Sequence, residues 1–163
     1  MRIPAPISDK IEAGAARIID RRRDSMKKDD CIFCRIANGE IPSNTVYEDE
    51  DFRCILDLSP AAKGHTLVIP KEHFQDALNA DDEVLSKIFK VAAKVGAGMK
   101  KALNADGINI VQNNGEAAGQ TVPHLHVHVI PRYNGDEKMV TWTQHESDPE
   151  EQKRIAEKIA AMI

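Results

Sequence analysis

The chain has 163 residues, with 26 acidic side chains against 22 Lys and Arg and a net charge of −4. That length suits one domain with appendages, and the acidic balance argues against general nucleic-acid binding. No apolar run is long enough to span a membrane, no secretory signal opens the chain, and three cysteines without framework spacing point to a reducing cytoplasm.

In chain order, residues 8–25 read as a charged amphipathic helix, with Ile11, Ala15, Ile18 and Ile19 at helical spacing behind a Ser8-Asp9 cap. Arg21, Arg22 and Arg23 fall at its end, where cations are favoured, and read as a solvated helix end rather than a phosphate patch. A short helix is expected at 32–38. Alternating segments at 45–48, 52–56 and 66–69 read as strands, separated by the turn signals Asp49-Glu50-Asp51 and Ser59-Pro60. Cys54 falls in the second of these and reads as core. The clearest helix is 82–103, which turns Val84, Leu85, Ile88, Val91, Ala92 and Val95 inward, while Gly96 and Gly98 weaken its last turns. Strands at 108–112 and 125–130 complete an antiparallel meander. A final helix at 149–162 follows Ser147-Asp148, with Pro149 in its first turn. The class is α+β: one antiparallel sheet of about five strands, with one long and several short helices.

The run His124-Leu125-His126-Val127-His128 places half of the six histidines in five residues. On a strand the three imidazoles share one face and Leu125, Val127 and Val129 fill the other, with neighbouring histidines roughly 6.5–7 Å apart. Imidazole used this way serves either metal binding or nucleophilic and acid–base chemistry. The preceding loop, from Gln112 to Pro123, carries an Asn-Gly turn and small residues whose amides suit phosphate oxygens, with Gln120 and Thr121 at its end. Cys31 and Cys34 have the spacing of half a zinc site; two buried apolar cysteines or a redox pair are the other readings.

Three ordered blocks resemble the histidine triad (HIT) family of nucleotide hydrolases and transferases. They are Cys31-Ile32-Phe33-Cys34-Arg35-Ile36, then Asp57-Leu58-Ser59-Pro60 with Lys63 to Lys71, then Asn113 through His124-Leu125-His126-Val127-His128 to Arg132. The resemblance implies a HIT-like domain over 31–135 with helical extensions at 1–30 and 136–163, and a homodimer. It implies a structural zinc held by Cys31, Cys34, His73 and His124. His126 becomes the nucleophile that forms a nucleotidyl-histidine, and His128 the group facing the phosphate oxygens or leaving group. The amides of Gly119, Gln120 and Thr121 with the Asn113 side chain would cradle the α-phosphate, and Asp57 the ribose. Ile32, Phe33, Ile36, Ile55 and Leu58 would form an apolar slot for a purine base. His65, in phase with Leu67 and Ile69, reads as a core or supporting histidine. A catalytic zinc held by the row itself fits poorly, because no acidic residue accompanies the row. In the family the C-terminal segment often reaches the partner's site, so Met139, Val140, Thr141 and Trp142 are candidates there. His128 departs from the His-x-Gln ending of the transferase branch and argues for hydrolysis. The expected activity is release of a nucleoside monophosphate from phosphoramidates or related adenylylated compounds. A dinucleoside polyphosphate hydrolase and a nucleotide-binding scaffold are the alternatives.

Overall fold

The computed structural model describes residues 27–137 and 145–163. The 8–25 helix, the arginine run and the segment from Met139 to Trp142 lie outside the described residues. Five strands form one antiparallel sheet: β1 (Thr45–Glu48), β2 (Phe52–Leu56), β3 (Thr66–Pro70), β4 (Gly107–Val111) and β5 (Val127–Arg132). Among the described residues three α-helices accompany them: α1 (Ile32–Ala37), α2 (Asp82–Leu103) and α3 (Pro149–Ala160). Among the described residues no helix is long and apolar enough to cross a membrane.

The strand order is β1-β2-β3-β5-β4, so the sheet departs from the expected meander. β5 inserts between β3 and β4 because α2 carries the chain over the sheet from β3 to the far edge. Hairpin chemistry sets the first pairing: Asp49 Oδ1 accepts from the Asp51 and Phe52 amides and turns β1 into β2. α2 begins with Asp82 and Glu83 and ends with Lys100 and Lys101, matching charge to its dipole, and Asn104 closes it in the left-handed region at φ 53°. Gly96, expected to weaken the last turns, has a packing role there. A Cβ there would lie 3.3 Å from Ile108 and 3.6 Å from Val129, so the glycine lets the helix settle close onto the sheet.

Alternation gives the sheet two different faces. Phe52, Cys54, Val68, Val127 and Val129 pack with Ile88, Val91, Ala92, Val95 and Met99 of α2 to make the main core. Each such side chain fully withdrawn from water contributes roughly 1.5–3 kcal/mol before entropy is counted. On the opposite face Ile55, Leu67 and Ile69 form a smaller cluster with Ala37, Phe33 and Ile36 of α1. His128 pairs across from Leu67 and so belongs to this second face.

The histidine run does not lie wholly in a strand. β5 starts at Val127, later than the expected residue 125, and His124 and His126 precede it. β3 ends at Pro70, which has no N–H to extend the ladder, and the Leu125 amide turns instead to the Phe74 carbonyl at 2.6 Å. Freed from regular pleating, the row need not keep its imidazoles in one line.

Candidate active site and metal centre

The row divides between two clusters. The His124 side chain is fully buried beside α1, where its Nδ1 lies 3.4 Å from Cys31 Sγ and 3.5 Å from Cys34 Sγ. His73 Nδ1 stands 3.3 Å from the same Cys34 sulfur. The four ligand atoms all fall within 4.8 Å of one another. A tetrahedral zinc, with Zn–S near 2.3 Å and Zn–N near 2.05 Å, sets its S···N pairs roughly 3.5 Å apart, so the cluster has the right size and donor set. His124 Nε2 donates to the Pro70 carbonyl at 3.0 Å, which fixes the tautomer and leaves the Nδ1 lone pair toward the sulfurs. Burial pushes the His124 ring down to about 4 and the Cys34 thiol up to about 11. Both shifts describe charge kept out of an apolar site, and a bound cation is what would compensate the thiolates. His73 is also held low, first by burial, and its Nε2 is buried without a partner.

The second cluster begins two residues later. His126 Nδ1 lies 2.7 Å from the His124 carbonyl. A carbonyl only accepts, so Nδ1 carries the proton and Nε2 keeps its lone pair. Phe33 meets the His126 ring edge-on at 5.1 Å, which walls one side and fixes the ring plane. The His128 ring centroid is 4.9 Å from that of His126. His128 Nδ1 lies 2.9 Å from His65 Nε2, and His65 Nδ1 accepts from the Ala61 amide at 3.1 Å. The chain of tautomers follows: the Ala61 N–H occupies His65 Nδ1, so His65 donates from Nε2, His128 accepts at Nδ1, and the neutral His128 holds its proton on Nε2. Asp57 Oδ2 approaches His65 Nδ1 at 3.5 Å, while Asp57 Oδ1 accepts from the Ser59 amide at 2.8 Å. Burial is the first cause that lowers His65, His126 and His128, the last of them to about 4, with Asp57 opposing in each case. All three rings are therefore neutral near pH 7.

The sequence places no carboxylate beside the histidine row, yet the fold brings Asp57 near it beside His65, because the residues before β3 and the face of β5 meet at the Leu67–His128 pair. Of the two readings of His65, core or supporting, its hydrogen bond to His128 fits the supporting one. Asp57, His65 and His128 also offer ligand atoms close together, but His124 faces away from them, so the three histidines of the row do not converge on one ion.

The loop ahead of the row is braced from within. Gln120 Oε1 accepts from the Gly115 amide at 2.8 Å, and its Nε2 donates to the carbonyls of Gln75 at 2.7 Å and Val122 at 3.1 Å. The amides of Gly119 and Gln120 donate to Glu116 and Gly115 carbonyls. The Gln120 side chain thus holds the loop shape, and Thr121, which is exposed, sits at the loop's open end. Gly119 adopts φ +90° with the Asn113 amide nitrogen beside it, a conformation that L side chains rarely take. Of the residues expected around a base, Phe33 and Ile36 are part-buried against the second face, Ile55 is core, Ile32 is exposed and Leu58 is 92% exposed.

The HIT domain family model matches residues 38–135. An adenosine 5'-monophosphoramidase of Schizosaccharomyces pombe is 39% identical over 134 residues, covering 82% of this chain and 98% of that protein. Protein hit of Bacillus subtilis is 43% identical over 138 residues, covering 83% and 95%. Among solved structures, a protein from Streptococcus mutans superposes with a TM-score of 0.80 at 47% identity, covering 84% of this chain and 87% of that one. A zinc-bound histidine triad family protein from Mycobacterium smegmatis gives 0.64 at 40% identity, covering 81% and 97%.

Proposed function

The chain belongs to the HIT family, and on that premise we propose that it hydrolyses nucleotides at the α-phosphate, with phosphoramidate-linked or related adenylylated purine nucleotides as substrates. The observation that carries this reading is the 2.7 Å contact between His126 Nδ1 and the His124 carbonyl, which leaves Nε2 as an uncharged nucleophile of fixed direction. Its lone pair attacks phosphorus, and the bond to the leaving group breaks with that group's electron pair. The phosphate's negative charge favours a protonated His128 against the effect of burial. The added Nδ1 proton then points to His65 Nε2, which accepts it as the His65 proton moves to Nδ1 facing Asp57. His128 gives its Nε2 proton to the leaving atom. Water attacks the nucleotidyl-histidine, its proton returns to His128, and the P–N bond to His126 opens to release the nucleoside monophosphate. His65 positions His128 through its 2.9 Å hydrogen bond. Asp57 would take the ribose hydroxyls, the Thr121 amide and Asn113 the phosphate oxygens, and Phe33, Ile36 and Ile32 the base.

Cys31, Cys34, His73 and His124 would hold a structural zinc. When bound, zinc supplies a closed tetrahedral crosslink between α1, the end of β3 and the histidine run. The name of the S. pombe relative supports a phosphoramidase, and the zinc-bound M. smegmatis relative supports the metal. A homodimer is part of the same reading.

The test follows adenosine monophosphate by chromatography with adenosine 5'-phosphoramidate and diadenosine tetraphosphate in parallel. Turnover of the phosphoramidate that is lost in His126→Ala is the expected result. Preference for the dinucleotide would move the activity to polyphosphate anhydrides with the same residues. Nucleotide binding without release from either substrate would overturn the hydrolase reading and leave a binding protein.

A further inference from the structure

Two of the chain's three cysteine sulfurs stand together. Cys31 Sγ and Cys34 Sγ lie 3.4 and 3.5 Å from one atom, His124 Nδ1, and within 4.8 Å of each other. Helix geometry puts Cα atoms three residues apart about 5 Å from each other, inside the roughly 4.4–6.8 Å that a disulfide spans. Cys31 is the N-cap of α1, in extended backbone at φ −87° and ψ 117°, and its side chain caps no amide. Its sulfur therefore moves toward Cys34 without costing the helix a cap. Cys54 is fully buried in the main core on the α2 face, away from this pair. The pair also borders the reacting ring. Phe33 lies between the two cysteines in sequence and meets the rings of His124 at 6.0 Å and His126 at 5.1 Å, both edge-on. The His124 carbonyl in turn holds His126 Nδ1 at 2.7 Å. A shift in the first turn of α1 or in the His124 ring thus reaches His126.

We propose that Cys31 and Cys34 form a site of reversible oxidation by hydroperoxides, closing to a disulfide that dismantles the metal ligand set and displaces His126, which builds on the metal and nucleophile roles proposed above. A cation between the sulfurs keeps them as thiolates, the form that attacks peroxide. Cys31 is part-buried and Cys34 fully buried, so the first attack is assigned to Cys31. Its sulfur takes one peroxide oxygen as the O–O bond breaks, giving a sulfenic acid and hydroxide. The Cys34 thiolate then attacks that sulfur, the S–O bond breaks, and a second hydroxide leaves. Two protons from solvent turn both hydroxides into water, so two thiolates have passed two electrons to one peroxide. The disulfide keeps no thiolate for a metal, and His73 and His124 alone remain of the four donors. His124 Nδ1 is then left without its partners in a buried site, a cost that movement of the ring relieves.

The experiment treats the full chain with hydrogen peroxide and reads zinc release with a colorimetric chelator. Remaining thiols are alkylated in denaturant and the peptides weighed by mass spectrometry. The expected result is release of about one zinc per chain, in step with loss of two hydrogens from the peptide that carries both Cys31 and Cys34. Dithiothreitol with added zinc should reverse both changes, and Cys54 should stay a free thiol throughout. In substrate-free NMR the His126 ring signals, assigned by their loss in His126→Ala, should shift on oxidation and return on reduction. The peptide mass decides the oxidation site whether or not the chain carries zinc, so failure of the metal reading shows separately, in the untreated protein. The ring signals need no turnover, so failure of the hydrolase reading shows separately too. A sulfinic acid in place of the disulfide, zinc retained by the disulfide form, or unmoved His126 signals overturn the proposal. So does a pair of thiols left unchanged by millimolar peroxide after an hour.

Discussion

His124 and His128 stand four residues apart in one run, yet their surroundings have little in common. His124 has no exposed surface; it faces two sulfurs and a second imidazole, and a backbone carbonyl accepts a hydrogen bond from its Nε2–H. His128 is part-buried and hydrogen-bonded to His65, whose far side stands 3.5 Å from the Asp57 carboxylate. One environment suits a closed, static ion site and the other a group that exchanges protons. Residue type set neither role. What separates them is the neighbour brought by the fold: cysteines from α1 in one case, His65 and Asp57 from the approach to β3 in the other.

The comparison can be broken most sharply at His126, between the two. His126→Ala should lower kcat by on the order of 10⁴-fold, about 5.5 kcal/mol of transition-state stabilisation, while metal content and Tm hold. Nucleotide release that falls less than tenfold would remove the nucleophile assignment. Next in size is Cys34→Ser, which takes a fully buried ligand from the metal cluster. It should reduce zinc measured by atomic absorption from about one per chain to a trace, and cost about 3 kcal/mol, or roughly 6–12 °C in Tm. His128→Ala should leave zinc content unchanged. If it also empties the site, the two clusters are one.

His65→Ala should come third, with a 10- to 100-fold loss in kcat, little change in KM and a displaced alkaline limb of the pH–rate profile, where His128 loses the proton it donates. His65→Gln keeps a donor toward His128 and should recover part of the rate; equal losses in both variants would mean that His65 only fills space. The smallest effect is in stability against pH. Burial lowers His128 to about 4 in the folded chain, whereas the unfolded ring titrates near its ordinary value of 6.5. Between those values the unfolded chain binds more protons, so stability is full above about pH 6.5 and falls as pH drops toward 4. His128→Gln should flatten that slope in thermal melts run from pH 7 to pH 5, and an unaltered slope would place the titration elsewhere.

Much of this could be seen in the sequence where a local rule decided it. The bounds of α2 match the expected 82–103 because apolar spacing, acidic start and basic end all agree. β1 and β2 also fall where alternation and the Asp49 turn put them. Strand order was not legible, since whether β4 or β5 lies beside β3 depends on where α2 sets the chain down. Nor was the fate of Gln120. A polar side chain in a loop reads equally as a ligand or as a brace, and only its three partners distinguish the two. The approach of Asp57 to His65 was hidden for a related reason: seven residues separate them, and the turn that closes the gap rests on the Ala61 amide and Gly64 at φ +95°. The exposed state of Leu58 likewise reflects that turn rather than its own apolar character.

Pro70 acts as punctuation. Were it a residue with an amide, the β3–β5 ladder could run on, and positions 124 and 126 would be held to the fixed pitch of a pleated strand, about 7 Å from ring to ring along one side. An imino acid ends the zipper at Val68–Val127, and the liberated carbonyl becomes the acceptor for His124. A single missing hydrogen thereby turns what would be one repetitive row into two unlike addresses, with a metal-type pocket upstream of the stop and a reactive ring immediately before the strand resumes.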